Sequence, residues 1–583
     1  MSAQWLARQY GEIWTVDFEY VSSGGERPRP ISMVAREFHS RRIIRLWEDD
    51  LQRLDAAPFN VGPRSLFVAY FASAEISCFL ALDWACPENV LDLFVSFRTR
   101  FNGRTPPSGF GLVGALSVFG IPNIGASAKN GMRELILSGG PYSASDRAAI
   151  LRYNQGDVDG TERLLTFLAP TNEVDLQHAL LHGRYMSVSA RMEFQGTPID
   201  FELHGRLVKH WDEMKGTLIA AIDKSYGIYE GASFRTERFE RYLALNGIRW
   251  PRLESGSLRL DSDTFRDMAK AHPQLQSLHE LRQTLSGLRL SNLAVGPDGR
   301  NRTIYSPFRA KTGRNQPSNA EFIFGPAVWM RGLIRPPRGH AIAYLDWSQQ
   351  EFGIAAALSG DHAMQRAYLS GDPYLEFAKQ AGAVPQHATK KTHAAEREQF
   401  KACVLAVQYG MGARSLALRI NASEARAREL LRLHRVTYAT FWEWSDAVVN
   451  FAMVRGFLVT RFGWRVNVPP DANTRSVRNF PMQANGAEML RLACCLGAER
   501  GVPICAPVHD AVLIEAPVDE IDEVVAEMAG AMRQASELVL DGFSLRTDAK
   551  PYIVRYPERY ADPRGQEMWD TMMQLLDELE EET

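Results

Sequence analysis

The spacing of hydrophobic positions changes along the chain and divides it into three parts. Up to about residue 185, apolar runs at 12–21 and 65–72 are typical of strands, and residues 159–169 have helical spacing. Strands and helices that alternate in this way predict an α/β layer. From about residue 186 to 300 the pattern is mostly helical, and beyond it long helical segments alternate with short strands. The predicted long helices cover residues 394–418, 423–447, 484–499 and 519–540.

Composition describes an ordinary globular chain. It has 583 residues, of which 45% are hydrophobic and 23% charged, and its formal net charge is −3. Six cysteines without CxxC spacing predict buried thiols in a reducing compartment, and neither disulfides nor a zinc site. The first residues lack a signal-peptide pattern, and no apolar run approaches the roughly 18 residues of a membrane span. We therefore expect a cytoplasmic protein without a membrane partner.

The near-neutral average hides a basic segment between Gly299 and His340. Within it, eight basic residues stand against one acid, Glu321. This local excess predicts a surface that binds phosphate groups, and the run 303–308 predicts an ordered hairpin within it. A solvated basic face is the alternative interpretation. The eight basic residues are Arg300, Arg302, Arg309, Lys311, Arg314, Arg331, Arg335 and Arg338.

A carboxylate accompanies each of two strand-like runs in the second half of the chain. Asp510 follows His509 inside the run 504–517, and Asp346 ends the run that begins at 342. An ionised carboxylate is costly to bury unless it is paired or binds a metal. Two strand-end aspartates that meet can bind two divalent cations, and oxygen ligands favour Mg²⁺ or Mn²⁺. For either aspartate alone, a helix cap or a turn residue is the alternative interpretation.

A third segment adds cations to this picture. Residues 396–417 have helical spacing, and Arg397, Lys401, Leu405 and Tyr409 recur every four positions along one stripe. Two cations on such a stripe can neutralise a triphosphate, and the aromatic ring can stack on a base. An amphipathic helix with basic ends is the alternative interpretation.

Acidic side chains also occur on the predicted strand near the N-terminus. Asp17 and Glu19 alternate along it and therefore point to one face. The two acids repel each other unless a cation lies between them, and a solvent-facing edge strand is an equal alternative. Further along, Tyr153 and Asp157 lie one turn apart at the predicted start of a helix.

Three segments, in this order, resemble motifs A, B and C of the A-family DNA polymerases, the family of bacterial DNA polymerase I. They are DWSQQEF at 346–352, the RxxxK…QYGMG pattern at 397–412 and PVHDAVL at 507–513. Two further segments, AKTGRNQPSN at 310–319 and RSVRNFPMQANGAEML at 475–490, are similar to other stretches of that family. The resemblance covers about residues 185–560 and implies a right-hand polymerase domain with palm, fingers and thumb.

The resemblance implies roles for individual residues. Asp346, Asp510 and Lys401 would form the catalytic set, in which the two aspartates hold two metal ions. Arg397 would bind the incoming triphosphate together with Lys401, and Glu351 would crowd the sugar 2′ position and reject ribonucleotides. The other positions are Tyr409 behind the nascent base pair, His509 near the primer terminus, and Arg314, Arg475, Asn479 and Gln483 along the primer–template.

Several positions depart from the family pattern. Trp347 replaces a tyrosine, Gly353 an arginine, Leu405 an aromatic residue, Ala511 an acid and Tyr374 a histidine. Because both metal aspartates are retained, we expect activity to survive. These changes affect speed, fidelity and metal preference, and the change at Leu405 affects sugar discrimination.

The N-terminal acids carry a second resemblance. The DxE of Asp17 and Glu19, followed by the YxxxD of Tyr153 and Asp157, resembles the 3′–5′ proofreading exonuclease of the DEDD type. It implies an RNase H-like domain in which the three acids bind metals and Tyr153 orients the attacking water.

That exonuclease pattern includes a fourth carboxylate between these motifs. In FASAEISCFLALDW, Glu75 fits the expected offset better than Asp83, although the usual asparagine four positions earlier is absent. Asp92 fits a later aspartate of the family. Glu75 is therefore the predicted fourth metal ligand, and editing would be weak if it does not coordinate.

The predicted fold is α/β plus α+β, with an RNase H-like 3′–5′ exonuclease domain followed by a right-hand polymerase domain. The predicted units are an exonuclease-like domain (1–185), a thumb-like helical region (186–300), the first part of the palm (301–360), the fingers (361–458), and the second part of the palm with a C-terminal helix (459–583).

The predicted function is template-directed DNA synthesis by two-metal phosphoryl transfer, with proofreading. It implies two Mg²⁺ ions per active site, replaceable by Mn²⁺, and primer–template DNA and dNTPs as partners, with no processivity partner assigned. A single-subunit RNA polymerase, which shares the three motifs, is one alternative, disfavoured by Glu351 and the exonuclease pattern. A primer–template-binding protein that has lost catalysis is the other, motivated by Gly353, Leu405 and Ala511.

Overall fold

The structure is a computed structural model that describes residues 2–122, 126–253, 255–285, 289–325, 327–408, 410–548 and 552–581. Among these residues, no helix combines the length and the apolar character that crossing a bilayer requires.

A five-stranded mixed sheet forms the centre of the N-terminal domain. Its strands are β1 (Glu12–Val21), β2 (Arg29–Glu37), β3 (Ile43–Trp47), β4 (Ser65–Ala69) and β5 (Val90–Asp92). In the order β3-β2-β1-β4-β5, β1 lies in the middle, antiparallel to β2 and parallel to β4. The buried Phe18 of β1 packs against Phe79 and Trp84 in one core cluster, whereas Ile13 and Leu66 belong to a second cluster, so both faces of this sheet are buried.

Helices accompany this sheet and lead into the next region. They are α1 (Ser2–Leu6), α2 (Glu48–Leu51), α3 (Ala72–Ala81), α4 (Leu93–Phe101), α5 (Leu112–Val118), α6 (Ala126–Leu137), α7 (Ala144–Leu168) and α8 (Glu173–Gln195). The predicted start of a helix at Tyr153 is wrong, because a capping box of Ser143 and Asp146 begins α7 at Ala144. Tyr153 and Asp157 therefore lie in the middle of a long helix.

The following region is mostly helical, as the sequence predicts. Its elements are β6 (Thr197–Pro198), α9 (Phe201–Asp223), β7 (Tyr229–Glu230), β8 (Ser233–Phe234), α10 (Thr236–Leu245), α11 (Ser262–Ala271), the 3₁₀ helix Pro273–Leu275, α12 (Gln276–Leu285), α13 (Arg289–Asn292) and β9 (Arg300–Asn301). The predicted hairpin at 303–308 is wrong. Ser306 and Phe308 take positive φ of 48° and 60° on either side of Pro307, which interrupts the extended run.

A four-stranded antiparallel sheet forms the centre of the C-terminal half. The strands of this half are β10 (His340–Asp346), β11 (Phe457–Val459), β12 (Arg465–Asn467), β13 (Ile504–Val508), β14 (Ala511–Pro517) and β15 (Tyr552–Arg555). The sheet has the order β13-β14-β10-β15, whereas β11 and β12 form a separate hairpin. β10 and β14 are neighbours although most of the C-terminal half separates them in sequence.

Helices on this sheet and beside it complete the C-terminal half. They are the 3₁₀ helix Val328–Leu333, α14 (Gln350–Ser359), α15 (His362–Leu369), α16 (Pro373–Gln380), α17 (Ala394–Gln408), α18 (Ala413–Arg419), α19 (Glu424–Thr437), α20 (Ala439–Arg455), α21 (Thr474–Glu499), α22 (Ile521–Val539) and α23 (Gln566–Glu581). α22 packs on β10 and β14, and α21 packs on α22.

Two of the four predicted long helices are divided. The helix expected at 394–418 ends at Gln408 and resumes at Ala413, since Gly410 has a φ of 63° and Gly412 is an extended N-cap. The helix expected at 423–447 is divided at Tyr438, whose backbone is not helical. The prediction at 519–540 is confirmed by α22, whereas the helix predicted at 484–499 is present as α21 but begins earlier, at Thr474.

Candidate active sites

A two-residue turn places Asp510 beside Asp346. In the β13–β14 hairpin Val508 faces Ala511, so His509 and Asp510 form the turn, in which His509 has a φ of 57°. Tight hairpin turns of this length require a positive φ. β14 also pairs with β10, and Ala511 lies opposite Asp346. The two aspartates predicted from sequence to meet are therefore brought to the same edge of the sheet.

Burial and mutual repulsion raise the cost of ionising these two carboxylates. Burial, followed by the charges of Asp510 and Asp548, raises the pKa of Asp346 to about 8. Burial also raises the pKa of Asp510, and the nearby Arg314 guanidinium lowers it in part. Asp346 Oδ1 is buried and accepts no hydrogen bond from any residue that the structure describes. Buried oxygen donors of like charge fit divalent Mg²⁺ or Mn²⁺, which would relieve the repulsion.

Asp548 is a site residue that sequence reasoning missed. Its backbone N–H donates to the Asp346 carbonyl at 3.0 Å, and Ser348 Oγ donates to Asp548 Oδ1 at 2.6 Å. Thr547 and Trp347 form an isolated bridge that fixes this position. The contact joins two distant, irregular parts of the chain, and no sequence pattern signals such a pairing.

Glu351, Arg314 and His509 border the aspartate pair. Glu351 lies in the first turn of α14, and its Oε1 is 3.6 Å from Arg314 Nη2. Burial raises the pKa of Glu351, and Arg314 lowers it in part. Burial lowers the pKa of His509, so its neutral ring is favoured. Arg314 and His509 line a cleft of 590 Å³ that reaches from this site to α11 and α12.

The predicted triphosphate-binding cations are paired with acids. Arg397 Nε donates to Asp372 Oδ2 at 2.5 Å, and its Nη1 donates to Glu398 Oε1 at 2.6 Å. Lys401 Nζ lies 3.7 Å from Glu398 Oε2. A triphosphate would therefore have to replace Asp372 and Glu398 as the partner of these two cations.

Leu405 and Tyr374 belong to α17 or its surroundings. Leu405 is half-buried on this helix. Tyr374, which stands where the family pattern has a histidine, has its ring centre 5.4 Å from the Arg397 guanidinium. Tyr409, predicted to lie behind the nascent base pair, is outside the described residues.

The predicted DNA-contacting residues of α21 share one helix face. Arg475, Asn479 and Gln483 recur every four positions, and Asn473 caps the helix. Arg475 is exposed, whereas Asn479 and Gln483 are half-buried. Arg475 and Asn479 line a cavity of 490 Å³ next to Gly410, so this face begins at the break between α17 and α18.

Much of the basic segment is engaged inside the protein. Its ion pairs are Arg300–Glu515 at 2.8 Å, Arg302–Asp298 at 2.5 Å, Arg331–Asp562 at 2.7 Å and Arg335–Asp200 at 3.0 Å. Phosphate groups would have to replace these acids as the partners of the four arginines, so the structure gives the predicted phosphate-binding surface no support at these positions. Every one of the acids lies outside the window 299–340, and three come from distant parts of the chain, which a local charge count does not detect.

A second acidic cluster lies on the N-terminal sheet. Oxygen atoms of Asp17, Glu19 and Asp157, from β1 and α7, all lie within 4.8 Å of one another. Burial, followed by the charge of Glu75, raises the pKa of Asp17 well above its usual range. Burial and the charge of Asp157 raise the pKa of Glu19 to about 8. Asp17 Oδ2 is buried and accepts no hydrogen bond from the described part of the chain, so this donor set also fits a divalent cation.

Tyr153 and Lys129 stand beside this cluster. Burial, followed by the charge of Asp157, raises the pKa of Tyr153, so its hydroxyl stays protonated. Lys129 Nζ donates to Asp157 Oδ2 at 2.8 Å and lies 5.6 Å from the centre of the Tyr153 ring. Sequence reasoning missed Lys129, because α6 carries no motif that distinguishes this lysine from a solvated one.

The predicted fourth carboxylate is near the cluster but outside it. Glu75 is buried on α3 and accepts a hydrogen bond from the Phe18 N–H at 2.7 Å. Its charge acts on Asp17, yet it is not one of the three acids whose ligand atoms converge. Asp92 instead accepts backbone hydrogen bonds from two helices. One comes from α4, which it caps, at 2.9 Å, and another comes from the first residue of α3 at 2.6 Å. Asp83 is exposed just beyond α3.

Sequence comparison identifies the family of this chain. Residues 244–550 match the family described as DNA polymerase family A, and the chain belongs to that family. The matched segment includes both the Asp346–Asp510 pair and helix α17.

The curated relatives and a solved structure agree with this assignment. The DNA polymerase of Mycobacterium phage D29 is 25% identical, over 67% of this chain and 66% of its own length. DNA polymerase I of Chloroflexus aurantiacus is 24% identical over 70% of this chain. The chain spans only 46% of that relative and 39% of the thermostable DNA polymerase I of Thermus thermophilus, which is 26% identical over 52% of this chain.

A solved structure extends the fold comparison to nearly the whole chain. The POL domain of Pol1 from M. smegmatis, in complex with DNA primer-template and dNTP, superimposes with a TM-score of 0.65 at 18% identity. The match covers 95% of this chain and 96% of that one. The chain therefore has the fold of that polymerase domain.

Proposed function

We propose that this protein is a template-directed DNA polymerase that adds deoxynucleotides to a primer 3′ end. The convergence of Asp346 and Asp510 at the edge of one sheet, in a chain of DNA polymerase family A, carries the proposal. The complex of the M. smegmatis domain supports primer–template DNA and dNTPs as the partners of this chain as well.

The proposal gives each charged residue of the site a task. Two Mg²⁺ ions, or Mn²⁺ in their place, would activate the primer hydroxyl and stabilise the leaving pyrophosphate. Asp346 and Asp510 would hold these ions. Arg397 and Lys401 would exchange their acid partners for phosphate oxygens and neutralise the triphosphate.

Sugar selection and DNA contacts follow from the borders of the site. Glu351, held beside the aspartates by Arg314, would occupy the space of a ribose 2′-hydroxyl. Helices α9–α13 would form the thumb, the sheet with β10 and β14 and helix α14 the palm, and α15–α20 the fingers. The proposed contacts are Arg314, Arg475, Asn479, Gln483 and His509 to primer–template, and Leu405 and Tyr409 to the nascent base pair.

We also propose a 3′–5′ exonuclease in the N-terminal domain. The mixed sheet of order β3-β2-β1-β4-β5 and the cluster of Asp17, Glu19 and Asp157 support it. The cluster opens into a cleft of 970 Å³ lined by aromatic rings and cations, which suits a single-stranded 3′ end. Tyr153 would orient the attacking water, and Glu75 would act from beside Asp17 as the fourth carboxylate.

One assay tests both parts of the proposal. A 5′-labelled primer on a longer template is incubated with protein and Mg²⁺, with and without dNTPs. We expect growth of the primer with dNTPs and shortening without them. Growth without shortening would refute the proposed exonuclease activity, and shortening without growth would refute the proposed polymerase activity. No change with intact DNA binding would favour the non-catalytic alternative.

Ribonucleotides in the same assay test Glu351. We expect strong preference for dNTPs, and equal incorporation of ribonucleotides would favour the RNA polymerase alternative. The Glu351→Ala variant should lose at least about tenfold of this preference, the change that roughly 1.4 kcal/mol of lost repulsion produces.

A further inference from the structure

Helix α4 of the N-terminal domain reaches into the polymerase half. Arg98 on this helix is buried, with 6% of its surface exposed. Its Nε donates to the Phe308 carbonyl at 3.2 Å, and its Nη2 donates to the Arg309 carbonyl at 2.7 Å. The guanidinium therefore binds two successive main-chain carbonyls of the irregular segment after β9.

The residue that ends α4 makes further contacts of the same kind. Asn102 is fully buried, and its Nδ2 donates to the carbonyls of Lys311 at 2.7 Å and Arg465 at 2.8 Å. In return, the Asn467 N–H donates to the Asn102 carbonyl at 2.8 Å. α4 thus joins β12 to the segment 308–314, which we call the Arg314 loop.

The other side of the Arg314 loop is held from the palm. Trp464 Nε1 donates to the Lys311 carbonyl at 3.0 Å, and Arg491 Nη1 donates to the Gly313 carbonyl at 2.7 Å. Gly313 has a φ of 77°, and an added Cβ would lie 3.0 Å from Trp464 Nε1, so any other residue would be strained here. Carbonyls at 308, 309, 311 and 313 all accept from donors outside the loop.

The loop ends at the residue that faces the palm site. Arg314 Nη2 lies 3.6 Å from Glu351 Oε1, and its charge acts on Asp510 and His509. A guanidinium contacts its partners productively only over a narrow range of positions, because its donors form a rigid fork. A shift of the loop backbone would move this fork away from the aspartate pair.

We infer that Arg98 and Asn102 are positioning residues of the polymerase site, which act through Arg314 although they belong to the nuclease-like domain. The inference rests on the proposed polymerase function. It makes the N-terminal domain a structural part of the polymerase rather than a separable editing module. Polymerisation then depends on α4 even when the acids of the N-terminal cluster are inactive.

A double-mutant cycle in the full-length chain tests this inference. Arg98→Lys keeps the charge but cannot bind both carbonyls in a fork. We expect it to lower kcat/KM of primer extension about tenfold, the effect of roughly 1.4 kcal/mol of lost positioning. In an Arg314→Ala background the same change should cost less than about twofold, because coupled residues are not additive.

The matched control is Arg100→Lys on the same helix. Arg100 is exposed and donates to the Phe167 carbonyl within the N-terminal domain, so extension should stay unchanged. The inference would be overturned if the losses of kcat/KM caused by Arg98→Lys and Arg314→Ala multiply fully in the double mutant. It would also be overturned if Arg314→Ala is as active as the wild type. If Arg98→Lys does not fold, as judged by its melting curve, Asn102→Ala enters the same cycle with the same expectation. A wild-type protein that cannot extend primers would refute the proposed function itself.

Discussion

At the scale of single residues, the two acidic sites share one electrostatic design. Asp346 and Asp17 each have a buried oxygen that accepts no hydrogen bond from the described residues, and other acids lie nearby. Such an arrangement destabilises the folded chain unless a cation binds. The stability of the metal-free protein should therefore depend on the protonation of these groups.

The pH dependence of stability tests this design at Asp346. Its pKa is raised from 3.8 to about 8 in the folded protein. Between these values the folded state keeps a proton that the unfolded state has lost, so the free energy of unfolding falls as pH rises from about 4 to about 8. Urea unfolding in EDTA should show a steeper fall for the wild type than for Asp346→Asn. Parallel curves for the two proteins would contradict the raised pKa.

Lys129 competes with metal for the N-terminal cluster. Its ammonium lies 2.8 Å from Asp157 Oδ2, where a cation would also bind. In an Asp346→Asn background, which weakens the Asp346–Asp510 site, Lys129→Ala should bind Mn²⁺ several-fold more tightly, as expected from removal of an ion pair of roughly 1 kcal/mol. Electron paramagnetic resonance of free Mn²⁺ measures the change. The control is Arg133→Ala on the same helix and in the same background, and equal Mn²⁺ affinities of the Asp346→Asn protein with and without Lys129→Ala would refute the competition.

At the scale of elements, backbone conformation decides what hydrophobic spacing cannot. The run 394–418 has helical spacing throughout, yet the positive φ of Gly410 ends α17. Conversely, α7 begins well before the predicted helix start, because a capping box outweighs an unremarkable apolar pattern.

The break at Gly410 predicts opposite effects for two glycines. Gly410 has a φ of 63°, and an added Cβ would lie 3.0 Å from the Arg475 side chain. Gly410→Ala should lower the free energy of unfolding by about 1 kcal/mol or more. The control is Gly205, which is exposed inside α9 and has no neighbour near an added Cβ. Gly205→Ala should raise the free energy of unfolding by up to about 1 kcal/mol. Chemical denaturation measures the change in the free energy of unfolding for each variant. Changes of the same sign in the two variants would contradict the assigned helix break.

At the scale of the whole molecule, distant acids neutralise much of the basic segment. Glu515 is 5% exposed and pairs with Arg300 through two hydrogen bonds, at 2.8 and 3.0 Å. This pair joins β9 to β14, so we expect it to contribute to the packing against the four-stranded sheet rather than to DNA binding.

Arg300→Gln separates these two roles. It leaves a buried carboxylate unpaired, so the free energy of unfolding should fall by about 3 kcal/mol. The salt dependence of DNA binding should stay unchanged, since no phosphate contact is lost. The exposed Arg338→Gln is the control and should leave stability unchanged. If Arg300→Gln keeps its full stability but shows a weaker salt dependence of DNA binding, Arg300 contacts DNA and this interpretation is wrong.

The sequence predicted those features that depend on local chemistry. Strand-end aspartates, the DxE pair on β1 and the cations of α17 could be found from spacing, and the structure brings Asp346 to Asp510 and Asp17 to Asp157. Asp548, Lys129 and the contacts of Arg98 could not be found, because each depends on segments that meet only after folding.

The central claim is that Asp346 and Asp510 form the catalytic pair of the polymerase. The most direct test is single-turnover primer extension by Asp510→Asn, with DNA affinity measured on the same samples. The account predicts a loss of extension of at least about a thousandfold, the effect of roughly 4 kcal/mol, with DNA affinity nearly unchanged. Extension at the wild-type rate would contradict it, and the chemistry would then have to reside elsewhere in the chain.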